Sequence, residues 1–417
     1  MEIKKLWHPT GIVDGTIVLD GSKSISNRVL IIRALSGEHF DIHHLSSSDD
    51  TTKMKSLLNS EGLEEYHVGH AGTTFRFLTA YLALQSGRQI LTGSSRMLER
   101  PIGPLVDALR AIGCEIKYLG KEGYPPLEIG ILDEENYKPQ VSIDAGISSQ
   151  YITALILIAP ALPRGLKIRL QGDLVSESYL QLTLGIVRDF GIDVNFNGRE
   201  IIIERQKYET KPYTIEADWS AASYYYSIVA LAKEGTVRLK GLFEKSLQGD
   251  AALVELGLDL GVKSEWQNDH WVLTKQEASA QFKHDFINQP DIAQTLGVIC
   301  ASANVSNEFN GLKTLRIKET DRIYAMNREL TKVGSGFILS HVNEEKDEVY
   351  QVLTGLTFEN TPRIETYKDH RMAMAFAPLA LLHAIEIEKP MVVTKSYPAF
   401  YEDLEKLGFE MSDVITY

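Results

Sequence analysis

A chain of 417 residues, 44% hydrophobic and 24% charged, holds enough apolar material for large buried cores and is too long for one ordinary domain, so two domains of about 200 residues each are expected. A formal charge of −13 argues against a nucleic-acid or anionic-membrane surface, which clustered Lys and Arg would mark, and makes any anion site a local exception. Cys114 and Cys300 are too few for a disulfide framework and stand in no metal-binding spacing, which fits a reducing, cytoplasmic compartment, while no apolar run approaches 18 residues and residues 1–10 show no leader pattern.

Hydrophobic periodicity predicts helices alternating with short β-type pieces such as GTIVLD (15–20), LKIRLQG (166–172), EIIIE (200–204) and HWVLTK (270–275). About twelve helices of 10 to 16 residues are expected, six starting near Ser24, Asp49, Thr73, Pro101, Ser149 and Ser176, and six near Trp219, Gln248, Ile292, Asp321, His370 and Ala399. Ser148 and Asp218 read as N-caps and Pro101 as a first helical residue. The equal helix counts suggest repeated units in two halves, with the boundary near KPYTIEAD (211–218) and no low-complexity linker between them.

Several stretches carry possible chemistry beside a plain structural reading. GSKSISNR (21–28) is either a capped surface helix with solvated Lys23 and Arg28 or an anion cradle of backbone N–H, hydroxyl and cationic donors; the Walker A spacing is absent. In HAGTTFRF (70–77), Gly72 allows close backbone approach, or simply starts a helix. Of Arg96 and Arg100 in SSRMLERPIGPLV (94–106), Arg100 lies nearer a helix N-terminus and is the better anion ligand.

ISSQYITALIL (147–157) needs one hydroxyl for a cap, not three polar residues in a row. RIKETDR (316–322) sets Lys318, Glu319, Asp321 and Arg322 at a strand-to-helix turn, either as a solvated cluster capping the next helix or as an acid/base carboxylate with two cations in a cleft. TYKDHRMAMAFAPLAL (366–381) places Arg371 before an apolar helix, and VTKSYP (393–398) places Lys395 after a β-type run. His370 reads first as a structural hydrogen-bonding group and Asp291 as a helix N-cap.

SKSxSNR, AGTxxR, RMxERPI, SSQ, KETDR, DHRMAM and TK, in this order and over about nine-tenths of the chain, resemble the 3-phosphoshikimate 1-carboxyvinyltransferases, or EPSP synthases. The resemblance implies a two-domain inside-out α/β prism, each domain made of three βαβαββ-type repeats, with one repeat trimmed between Met54 and His70. It implies a first domain over 21–215, a second over 1–20 plus 216–417, and an active site in the cleft between them.

It further implies that Lys23, Ser24, Arg28, Ser148, Ser149, Gln150, Ser176, Tyr179, Asp291, Thr314 and Lys318 meet shikimate 3-phosphate, and that Lys23, Gly72, Arg100, Gln150, Arg322, Arg371 and Lys395 hold phosphoenolpyruvate. Asp291, Glu319 and Lys23 are then the catalytic group, with Glu319 as proton donor to the enol methylene and either Asp291 or Lys23 as base. Seven cations against two carboxylates leave +5, close to the roughly −6 of two phosphates and two substrate carboxylates. The implied reaction adds the 5-hydroxyl of the sugar acid to C2 of the enol and then eliminates phosphate, with no cofactor and no metal, in a cytoplasmic monomer that engages no nucleic acid and no membrane.

Three residues depart from the family pattern: His70 stands where Asn is common, Phe77 follows Arg76 where Pro is common, and Thr314 replaces an Asn near the sugar. The nearest rival, the UDP-N-acetylglucosamine enolpyruvyl transferases, usually carries a Cys in a mobile loop, whereas Cys114 falls at a helix-to-strand join and reads as a packing residue. A non-catalytic phosphometabolite sensor is disfavoured by retention of both Asp291 and Glu319.

Overall fold

A computed structural model describes residues 2–60, 62–303, 305–344 and 347–414. The chain forms two compact units, one spanning Gly21–Ile215 and the other joining the residues up to Asp20 to those from Glu216 onward. Each has its own hydrophobic core.

Within Gly21–Ile215, one four-stranded sheet runs Glu65–His67, Gln89–Thr92, Leu127–Leu132, Cys114–Tyr118 and another runs Asn195–Phe196, Glu200–Ile203, Leu166–Gln171, Gln140–Asp144. A third sheet has two strands, Ile42–His43 and Tyr213–Thr214. The other unit holds three four-stranded sheets. Its N-terminal strands enter two of them: Ile3–Trp7 pairs antiparallel with Ile385–Glu388 and Glu410–Asp413, and Ile12–Val18 pairs parallel with Glu234–Lys240, Ile12 facing Glu234 and Val18 facing Lys240.

One pairing pattern recurs in every four-stranded sheet: a parallel pair at one edge, then two antiparallel pairings. The two-stranded sheet keeps only the parallel pair. Its reason is in the chain length: helix Asp49–Leu58 is followed at Glu65 by a strand that already belongs to the next sheet, and residues 59–64 are too few for a hairpin. The trimmed repeat expected between Met54 and His70 is this one.

Each sheet shows one face to its own helices. Gln140–Asp144 alternates exposed and buried residues, and Leu166–Gln171 does the same from the opposite phase. The helices inside are apolar all round, as central helices must be. Every residue of Ser149–Ile158 is buried except Gln150, and every residue of Trp219–Leu231 except Ser220 and Ala230. Gln150 and Ser220 both fall in a first turn, where polar side chains are needed for another purpose. Full burial of each Leu, Ile or Phe contributes about 1.5–3 kcal/mol, so these helices anchor their units.

The expected helices are found near all twelve starts, with local corrections. Helix Gly103–Ile112 begins two residues after Pro101, with Pro104 in its first turn. Helices Leu253–Asp259, His370–Phe376 and Phe400–Lys406 have 7 residues each, shorter than expected. After Phe376 the chain tightens into the 3-10 turn Ala377–Leu381, where Pro378 removes a donor. The β-type run before Lys395 is instead the 3-10 helix Pro390–Lys395, since Pro390 at its start favours helical φ and the strand Ile385–Glu388 has already ended. Likewise Lys318 follows a 3-10 turn, Lys313–Ile317, rather than a strand. Among the described residues no helix is long and apolar enough to cross a membrane.

Candidate active site

In the unit Gly21–Ile215, side-chain bonds gather the first turns of four helices. Lys23 and Ser24 open Lys23–Ser36, Gly72 opens Gly72–Leu82, Ser149 and Gln150 open Ser149–Ile158, and Ser176 precedes Glu177–Asp189, whose first turn carries Tyr179. Buried Arg28 ties three of them. Its Nε donates to Thr183 Oγ1 at 2.9 Å, Nη2 to Thr153 Oγ1 at 3.3 Å and to the Tyr179 carbonyl at 3.4 Å, and Nη1 to the Ser24 carbonyl at 2.8 Å. Burial lowers its pKa from 12.5 to about 10, and its guanidinium sits 5.6 Å from the centre of the Phe77 ring. Phe77, an unusual residue for the family pattern, thus seats a cation.

Arg76 Nη1 donates to Gln150 Oε1 at 2.8 Å and Gln150 Nε2 to Thr73 Oγ1 at 3.2 Å, joining the fourth helix to the group. A Cβ on Gly72 would collide with Arg100 Nη1 and stand 2.9 Å from both Arg100 Cζ and Arg76 Nη1. Only glycine lets two guanidinium groups lie against this helix end. Lys23 Nζ lies 3.7 Å from Oδ2 of buried Asp50.

At all four N-termini the cap residue, Ser22, Ala71, Ser148 or Ser176, makes no side-chain capping bond. Ser48 and Asp218, by contrast, each accept a first-turn N–H. Ser148 therefore occupies the N-cap position without performing the capping expected of it. Ser176 has φ 56°, a left-handed value that a non-glycine residue rarely adopts and that marks a constrained position. Four helix ends with first-turn donors and positive dipole ends form a surface suited to anions.

In the other unit, Arg322 is the hub. Only 1% exposed, it donates from Nε to Asp369 Oδ2 at 2.8 Å, from Nη1 to Asp291 Oδ1 at 3.1 Å and from Nη2 to Glu319 Oε2 at 3.0 Å. Burial alone would lower its pKa, but Asp369, Glu319 and Asp291 outweigh it and the net shift is upward. Lys395 Nζ donates to the other oxygen of Glu319 at 2.7 Å. Arg371 Nη2 lies 3.2 Å from Asp291 Oδ2, and its Nη1 donates to the Asp291 carbonyl at 3.0 Å. Lys318 Nζ is 3.9 Å from Asp291 Oδ1.

Asp291 is thus not the N-cap expected: the cap position of helix Ala293–Ser302 is Ile292, and the carboxylate turns to the two arginines instead. His370 is buried, its Nδ1 3.6 Å from Asp369 Oδ1. Thr314 Oγ1, in the 3-10 turn before Lys318, is buried with no bonding partner among the described residues. Ser220 Oγ donates to buried Asp250, and Arg371 Nη2 donates to Ser220 Oγ at 3.4 Å.

The turn that delivers Asp369 and Arg371 is strained. The Asp369 N–H bonds the Thr366 carbonyl at 2.8 Å, while Tyr367 and Lys368 between them have φ 53° and 58°. Positive φ at both central positions is ordinarily met by Asn-Gly, and each L-residue there costs about 1–2 kcal/mol.

Sequence reasoning missed Arg76, Asp50, Asp369, Asp250 and Ser220. Arg76 and Asp369 stood inside quoted motifs without a role. Asp250 showed only as part of a helix start. Cys114 is buried at the start of a strand, and burial pushes its thiol up to about 12, so it has neither the exposure nor the acidity of a loop nucleophile.

A family model described as EPSP synthase (3-phosphoshikimate 1-carboxyvinyltransferase) matches residues 63–404. The 3-phosphoshikimate 1-carboxyvinyltransferase of Bacteroides fragilis (strain YCH46) is 43% identical, covering 95% of this chain and 96% of that one. The enzyme of the same name from Sulfurovum sp. (strain NBC37-1) is 38% identical, covering 96% and 98%. Among solved structures, an EPSP synthase from Acinetobacter baumannii superposes with a TM-score of 0.77 at 19% identity, covering 99% of this chain and all of that one. At that identity the structural likeness speaks for the fold alone.

Proposed function

This chain belongs to the EPSP synthase family and transfers the enolpyruvyl group of phosphoenolpyruvate to shikimate 3-phosphate in aromatic biosynthesis, and from that premise we propose how its residues divide the work. In this division the Gly21–Ile215 unit chiefly holds shikimate 3-phosphate and the other supplies Asp291, Glu319, Arg322, Arg371 and Lys395. The observation that carries this reading is Glu319, held by Arg322 at 3.0 Å and Lys395 at 2.7 Å, a carboxylate fixed between two cations that suit a phosphate and a carboxylate.

Shikimate 3-phosphate would lie against Lys23, Ser24, Ser148, Ser149, Gln150, Ser176, Tyr179, Thr314 and Lys318, with Arg28 reaching it from the buried bonds between helices. Phosphoenolpyruvate would lie among Lys23, Gly72, Arg100, Gln150, Arg322, Arg371 and Lys395. Arg76 joins the cations, and Asp50 and Asp369 the carboxylates, so eight cations against four carboxylates leave +4 where the sequence alone suggested +5. Four helix N-termini at about +0.5 each raise this by about two, toward the roughly −6 of the substrate pair.

In the reaction, the base, Asp291 or Lys23, takes the proton of the 5-hydroxyl as its oxygen bonds to C2, and Glu319 delivers a proton to the methylene carbon. A proton then returns from the new methyl group as the bond from C2 to phosphate oxygen breaks, so one phosphate leaves and the enol is restored. The cations stabilise phosphate charge as it departs. All these groups come from one chain, which supports a monomer, and its two buried, free cysteines suit the cytoplasm.

Purified protein is expected to release inorganic phosphate only when given both shikimate 3-phosphate and phosphoenolpyruvate. Release with UDP-N-acetylglucosamine in place of shikimate 3-phosphate would assign a different acceptor. Binding of both substrates without release would leave a sensor.

A further inference from the structure

Helix Arg322–Thr331 touches the strained turn at 366–369 from both of its ends. At its start, Arg322 bonds both oxygens of Asp369, at 2.8 and 3.4 Å. Two turns later the same helix presents Glu329, whose side chain is fully buried. Glu329 Oε1 accepts from the Tyr367 hydroxyl at 2.8 Å, and Oε2 accepts from the Glu365 backbone N–H at 3.0 Å and from Lys332 Nζ at 2.6 Å. Lys332 also donates to the Arg363 carbonyl at 2.8 Å, so the pair grips the chain from 363 to 367.

A carboxylate is seldom left fully buried unless its bonds are worth the loss of water. Apart from the bond from Lys332, one residue past its helix, each bond that Glu329 accepts among the described residues comes from the segment that turns back on itself to present Asp369 and Arg371. That segment holds two successive L-residues at positive φ, Tyr367 at 53° and Lys368 at 58°, a conformation that persists only where surrounding contacts enforce it. Lys368 is exposed, so its own side chain does not enforce it. Tyr367 does, through its hydroxyl on Glu329 and an edge-on ring contact with Tyr324 of the same helix, centroids 6.4 Å apart.

We infer that Glu329 is a positioning residue for phosphoenolpyruvate: it clamps the 366–369 turn in its strained form and thereby sets Arg371 and Asp369 in register with Arg322. This rests on the reading above that Arg371 meets phosphoenolpyruvate. Glu329 touches no substrate itself. Without the clamp the turn relaxes toward negative φ, Arg371 is displaced, and binding of phosphoenolpyruvate weakens while shikimate 3-phosphate is held as before.

Steady-state kinetics on four variants test the clamp. Glu329→Gln keeps the volume but loses the charge behind its bonds, and is expected to raise KM for phosphoenolpyruvate about ten-fold, with KM for shikimate 3-phosphate within about two-fold of the wild type. Tyr367→Phe removes one hydroxyl and leaves the fold intact, and is expected to raise KM for phosphoenolpyruvate about three-fold. Lys368→Gly, placed in the Glu329→Gln background, removes the penalty on positive φ and is expected to restore most of the lost affinity, a rescue that a merely structural role would not produce. Unchanged KM in both Glu329→Gln and Tyr367→Phe, or a double variant as impaired as Glu329→Gln, overturns the inference. Arg371→Lys separates it from the reading beneath: if that variant leaves KM for phosphoenolpyruvate unchanged, the assignment of Arg371 fails and the clamp with it, whereas a raised KM there with normal Glu329 and Tyr367 variants sinks the clamp alone.

Discussion

Asp250 differs from the other carboxylates near Arg371 in having the Ser220 hydroxyl as its hydrogen-bond donor. Burial is the larger cause and the charge of Asp291 the next, and together they push its carboxyl from 3.8 up to about 7, against the opposing pull of Ser220 and Arg371. The folded chain therefore keeps a proton on Asp250 between about pH 4 and 7 that the unfolded chain has already lost. With fewer protons bound when unfolded, stability from this group is present at low pH and declines as pH rises through that window. Asp250→Asn preserves the acceptor for Ser220 and removes the titration. Its urea-unfolding stability relative to wild type is expected to improve by about 2 kcal/mol from pH 5 to pH 8. Parallel stability profiles for the two proteins would show that Asp250 does not carry this proton.

At the level of elements, helix Gly72–Leu82 sets local propensity against function. Alanine is the better helix former by up to about 1 kcal/mol, yet a Cβ on Gly72 enters the space of the Arg100 guanidinium. Gly72→Ala is expected to keep or raise the melting temperature while increasing KM for phosphoenolpyruvate about ten-fold, the effect of one weakened charge-assisted contact. An unchanged KM would place Arg100 outside the phosphoenolpyruvate site. Elements of this kind were legible because their residues are contiguous: GSKSISNR, SSQ and KETDR each stand at the start of one helix, and the helix starts follow from periodicity and punctuation. What escaped depends on pairing between distant segments. Glu329, in NRELTK, has the look of a solvated helix charge, and its burial follows from Tyr367 and Glu365, far along the chain. Asp291 looked like a cap because its arginine partners at 322 and 371 are invisible locally. The run VVT before Lys395 has strand propensity, but Pro390 and the end of the preceding strand make it a 3-10 turn.

For the whole molecule, the main consequence follows from two separate cores joined where the chain passes between them after Asp20 and after Ile215. Ligands held by one unit alone would stabilise that unit, since binding acts only on the folded form it recognises. Substrates shared by both must stabilise both. At about 100 times the dissociation constant the gain is about 2.7 kcal/mol, a roughly 100-fold slowing of hydrogen exchange at amides exposed only when their unit unfolds. With both substrates in excess at reaction equilibrium, slowing is expected in helix Gly72–Leu82 of one unit and in helix Arg322–Thr331 of the other. If phosphoenolpyruvate meets Arg100 together with Arg322, as proposed, Arg100→Ala diminishes it in Arg322–Thr331 as well. Protection confined to a single unit, or a distant helix indifferent to Arg100, would mean that each unit binds its own ligand and that the catalytic cations of 318–395 act without the helix ends of 23–179.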